Sequence, residues 1–109
     1  TGDATIFPTE SIVQNFASKS IIFVAINYRL GPLGFLTASH RDLHGNYGLD
    51  DQIEAIRWIR ANARNFDGNL NNIVVGGIGA GAACASILAV SPKTRDFCFC
   101  CLFMWFAFY

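Results

Sequence analysis

Apolar residues change their spacing along this chain, and each change marks an element. Between Pro8 and Ala17, Ile12, Val13 and Phe16 recur at helical intervals, with Thr9 or Ser11 available to cap the first turn. Ile21-Ile22-Phe23-Val24-Ala25-Ile26 then runs without a polar break, the pattern of a strand covered on both faces of a parallel sheet. Asn27 to Thr37, with Gly31, Pro32 and Gly34, reads as a loop, and a second loop reaches Asn46. From Leu49 to Arg64 the helical period returns in Ile53, Ile56, Ile59 and Ala63. Asp50, Asp51 and Glu54 stand early in that helix and Arg57, Arg60 and Arg64 late, an order that complements the helix dipole.

Asn65 to Asn72 is polar and contains glycine, so it reads as a loop. Ile73 to Val75 is a second short buried strand, and Ala80 to Val90 a small-residue helix stopped by Ser91-Pro92. Helix, strand, helix, strand, helix predicts an α/β architecture with a parallel sheet and right-handed crossovers. Two strands do not make a stable open sheet alone, so the sheet is expected to be incomplete.

The stretch from Phe97 to Tyr109 has seven aromatics, three cysteines and no charge. It is too short to span a bilayer, which needs about 20 apolar residues. It shows neither strand alternation nor a helical polar face, and no cysteine stands four from its end to take a lipid. The expectation is a boundary at Asp96: one partial domain over 1–96, and over 97–109 an aberrant aromatic tail that reflects a misread chain end and belongs to no fold element.

Composition narrows the partners. Eight basic residues balance eight acidic ones, so nothing points to nucleic acid or an anionic membrane. The 109 residues amount to one ordinary domain, and 52% of them are hydrophobic, more than so small a body hides easily. The expectation is a piece of something larger. Thr1-Gly2-Asp3-Ala4-Thr5 has no signal-peptide pattern. Cys98-x-Cys100-Cys101 has no matching His or Cys cluster, and Cys84 reads as a buried free thiol, so neither metal nor cofactor is expected.

Candidate chemistry sits at the end of the second strand. Ile73-Val74-Val75-Gly76-Gly77-Ile78-Gly79-Ala80-Gly81 leads a β-branched run into glycine-spaced residues and then a helix. Gly-x-Ser-x-Gly at such a corner presents a nucleophilic serine. Here the outer glycines are Gly77 and Gly81, and Gly79 stands where the serine would be. Gly77-x-Gly79-x-x-Ala82 also fits a dinucleotide fingerprint. That pattern should open its domain and be followed by a strand closing on an acid about 20 residues on. A strand and a long helix precede it here, and Asp96 comes before the last apolar run instead of ending one, so this reading ranks second.

The residues on both sides resemble the type-B carboxylesterase and cholinesterase family. Asn27-Tyr28-Arg29-Leu30-Gly31-Pro32-Leu33-Gly34-Phe35-Leu36 is similar to the family's segment after its central strand. Gly45-Asn46-Tyr47-Gly48-Leu49-Asp50-Asp51-Gln52, with Ala55-Ile56-Arg57-Trp58-Ile59, resembles its Gly-Asn-x-Gly-Leu-x-Asp-Gln helix start. Phe66-Asp67-Gly68 and the glycine corner resemble its approach to the nucleophile. The likeness runs from Gly2 to Asp96. Asp67 departs from the usual glycine or arginine, Asn69-Leu70 from Asp-Pro, Ile78 from glutamate, and Gly79 from serine.

The resemblance implies a partial α/β-hydrolase fold and, for the intact family, an ester substrate whose acyl group passes to serine and then to water. It also implies a secreted, ER-luminal or cell-surface setting. Its histidine, second carboxylate and oxyanion loop are expected outside this chain, so no catalytic set is intact: Gly77, Gly79 and Gly81 shape the corner, and the amide of Ala80 is the remaining oxyanion donor. Arg29 and Asp51 are expected as a structural ion pair. Cys84 and Ser86 read as packing residues, His40 and His44 as solvated side chains, Trp58 as core or interface, and Phe66 as packed under the loop before the strand. The chain then reads as an inactive esterase fragment. The alternative is a non-catalytic, neuroligin-like protein with a protein partner, since Gly79-Ala80-Gly81-Ala82 with Cys84 looks like the serine-free corner of that group.

Overall fold

A computed structural model of the chain describes residues 8–38, 44–97 and, as backbone, 99–105. The elements are α1 (Thr9–Asn15), α2 (Gly31–Phe35), α3 (Tyr47–Asn62), β1 (Ile73–Ile78), α4 (Ala80–Val90) and β2 (Phe99–Trp105). Single 3-10 turns follow α1, α3 and α4 at Ala17–Lys19, Ala63–Phe66 and Pro92–Thr94.

The centre is a β-α-β unit. β1 and β2 pair in parallel, with Ile73 opposite Phe99 and Ile78 opposite Trp105, and a register shift between Ile73 and Val75. Parallel strands need a crossover, and α4 supplies it, packing on both strands. Ala82, Ala85 and Leu88 lie three apart on α4 and are buried, so its small residues bring the helix axis close to the sheet. Ile53 and Ile56 of α3 meet Leu88, and Val75 and Phe97 pack against that cluster. The core therefore lies where α3, α4 and β1 converge.

α3 turns one stripe inward: Gly48, Ile53 and Ile56 are buried along it, with the polar Gln52 among them. It begins after Asn46 in the left-handed region, at φ 64°. It ends through a 3-10 turn that Asp67 closes at φ 58°, also left-handed. Asn69 then makes a local turn by accepting the Asn71 amide at 2.9 Å. Ser91 continues the job after α4: its hydroxyl accepts the Lys93 amide at 3.3 Å, while the buried Thr94 hydroxyl donates back to the carbonyls of Leu88 and Ser91.

Four expectations change. Residues 21–26 form no strand: Ile21 and Ile22 are each 50% exposed and Val24 is 48% exposed, because the run lies across an open trough from β1 with no ladder to join. The second continuous apolar run does pair. Within the 97–109 tail, which the sequence leaves outside any element, Phe99–Trp105 is β2, since parallel pairing is made by backbone groups and needs no alternation of side chains. The loop 27–37 contains α2, with Pro32 in its first turn, where a missing amide hydrogen costs nothing. α1 is capped by Pro8 without a side-chain bond, so neither Thr9 nor Ser11 caps it.

Candidate functional site

β1 carries the chain into a sharp corner. Its residues alternate between half-buried and exposed, and the alternation stops at Gly79. Gly79 has φ 59° and ψ −121°, the combination of the first central residue of a type II′ turn. A residue with a side chain is strained there. The Gly79 carbonyl then accepts the amides of Ala82 at 3.0 Å and Ala83 at 3.3 Å, which starts α4.

Gly77 is required for a different reason. A Cβ built on it would overlap the carbonyl group of Gly81, 2.5 Å from the oxygen, and lie 2.8 Å from the Ala82 nitrogen. The bare strand residue lets the first turn of α4 fold back onto β1. Gly79 and Gly81, by contrast, have nothing within 4 Å of where a Cβ would be. So Gly77, Gly79, Ala80 and Gly81 stand together in one turn, with open space in front of Gly79.

The chemistry of that turn is limited to its backbone. The amides of Ala80 and Gly81 open α4, and helix-opening amides have no intrahelical acceptor and carry the positive end of the dipole. They can donate to an anionic oxygen. No side chain at position 79 can attack a carbonyl carbon. Cys84 is a half-buried free thiol further along α4. Ser86 donates its hydroxyl to the Ala82 carbonyl at 3.0 Å, which engages its proton inside the helix. His44 is exposed and meets the Tyr47 ring edge-on at 4.9 Å, while His40 lies outside the described residues.

Arg29 and Asp51 are brought together at the start of α3. Asp51 Oδ2 accepts from the Arg29 backbone amide at 3.0 Å and from Nε at 2.8 Å, and Oδ1 accepts from Nη2 at 2.6 Å. The hydrogen bond from the guanidinium, then the one from the amide, holds the Asp51 carboxyl at about 2, below the ordinary 3.8. The same hydrogen bond raises Arg29. The Arg29 guanidinium also lies 5.4 Å from the centre of the Tyr47 ring.

Sequence reasoning did not find three further features. Asp50, next to Asp51, takes Lys93 Nζ at 2.7 Å from a residue 43 positions away, and no local pattern signals such a pair. Gln52 is 96% buried by its 4% exposure, and its Nε2 has no partner among the described residues. The Tyr28 hydroxyl is likewise buried and unpartnered, and its pKa is raised by burial first and by Cys84 second. Both side chains face the trough of about 1690 Å³ that separates residues 21–26 from β1. Trp58 and Phe66 line it too, 58% and 60% exposed, so neither is core and Phe66 is not packed beneath the loop.

Among the described residues, no group of three or more His, Cys, Asp or Glu side chains could hold a metal ion, and no helix is long and apolar enough to cross a membrane. Comparison with known proteins gives a consistent answer. Residues 1–101 match the carboxylesterase family. The chain is 40% identical over 95 residues to gut esterase 1 of Caenorhabditis elegans, covering 87% of this chain and 17% of that protein. It is 48% identical over 76 residues to bile salt-activated lipase of Homo sapiens, covering 70% and 10%. It is 47% identical over 79 residues to neuroligin-2 of Mus musculus, covering 72% and 9%. The chain thus spans under a fifth of the length of these relatives.

Proposed function

The chain belongs to the carboxylesterase family, and from that premise we propose that it is a partial α/β-hydrolase domain whose nucleophile corner does not hydrolyse esters. One observation carries the reading: Gly79 occupies the turn between β1 and α4 at φ 59°, ψ −121°, with no side chain to attack an acyl carbon. The strand, turn and helix support reading the corner as a nucleophile elbow, and the Ala80 amide, at the start of α4, is the oxyanion donor of that reading. A donor without a nucleophile leaves only electrostatic help. Members of a catalytic set act as a unit, so losing serine removes nearly all the covalent contribution.

The reading takes 1–96 as the domain piece and 97–109 as a tail of separate origin that β1 has recruited as an edge partner. The genomic sequence around Asp96 tests the second half: one uninterrupted frame into an ordinary carboxylesterase continuation would remove the separate origin. A chromogenic short-chain ester tests the first half. Turnover by the purified chain that a serine-directed phosphonate abolishes would overturn it.

A second reading rests on the likeness to neuroligin-2 together with Gly79-Ala80-Gly81-Ala82 and Cys84. On it, the longer protein binds a protein partner instead of a substrate. A full-length transcript separates the two. A downstream histidine and acid without a membrane stalk mark a decayed esterase, and a stalk with a cytoplasmic tail marks a partner-binding protein.

A further inference from the structure

We draw no further inference here: the strongest candidate, the apolar trough between residues 21–26 and the outer edge of β1, whose wall holds the Tyr28 hydroxyl and Gln52 Nε2 without a partner among the described residues, carries none because nothing in the structure shows what covers it.

Discussion

Arg29 and Asp51, 22 residues apart, are joined by three hydrogen bonds, one of them from the Arg29 backbone. The backbone bond matters because it fixes where the chain sits as well as where a side chain points. Asp50 meanwhile holds Lys93 from the turn after α4. Two adjacent carboxylates thus tie the N-terminal part of α3 to segments on either side of it in sequence.

Acid should loosen the first of these ties. Asp51 is held at about 2 against an ordinary 3.8, so the folded state takes up its proton less readily than the unfolded chain. The stabilisation is whole above about pH 4 and fades as pH falls from there to about 2. Arg29 is half exposed, and water screening keeps the effect small. Asp51→Asn should flatten stability across that window in urea melts. Equal acid loss in both proteins would remove Asp51 as its source.

The two glycines flanking Gly79 should respond in opposite ways. Gly77→Ala forces a methyl group into the Gly81 backbone and should destabilise by about 1–3 kcal/mol through overpacking. Gly81→Ala adds a methyl group in open space within a helix and should be neutral or gain up to about 1 kcal/mol. Circular dichroism during thermal unfolding measures both, and a Gly77→Ala protein as stable as the parent would contradict the close approach.

Serine at position 79 would have room, with nothing among the described residues within 4 Å of its Cβ to take its proton. Gly79→Ser should cost about 1–2 kcal/mol for a side chain at positive φ. It should leave short-chain ester hydrolysis at the uncatalysed background. A stoichiometric burst of chromophore from the variant would show that position 79 can still be activated.

Leu88 is the point where α4 meets α3. Its truncation to alanine should cost about 2–5 kcal/mol, the range for a buried leucine whose cavity does not collapse fully. Chemical denaturation followed by far-ultraviolet circular dichroism reads it. A change under about 1 kcal/mol would mean that α3 does not pack there in solution.

Tyr28→Phe removes a buried hydroxyl that has no partner among the described residues. Since an unsatisfied buried group is unfavourable, the variant should be as stable as the parent or more so by up to about 1 kcal/mol. A clear loss of stability on the same melt would reveal a hydrogen bond to that hydroxyl.

Local signals were legible wherever one short stretch controls the outcome. The helix expected at Ala80–Val90 has those bounds in the structure, because a glycine turn begins it and Ser91-Pro92 ends it. The helix expected at Leu49–Arg64 is displaced by two residues and finishes as a 3-10 turn. The long motifs around Tyr28, Gly48 and Gly77 indicated the family, which the comparison shows. What stayed hidden depends on distant residues. Lys93 reaches Asp50 only because α4 and its 3-10 turn deliver it there, and Trp58 and Phe66 are exposed only because the trough beside them is open.

By itself, the sequence determined the corner: a β-branched run, a glycine able to take positive φ, a glycine thin enough for helix and strand to touch, and no nucleophile between them. These are consequences of sterics within ten residues. Only the tertiary structure decided which of two continuous apolar runs would lie beside β1. Ile21–Ile26 and Phe99–Trp105 carry the same kind of pattern, and pairing goes to the run that α4 returns directly to the strand edge. Strand pairing is a choice between partners far apart in the chain, and apolar spacing within either run holds no information about that choice.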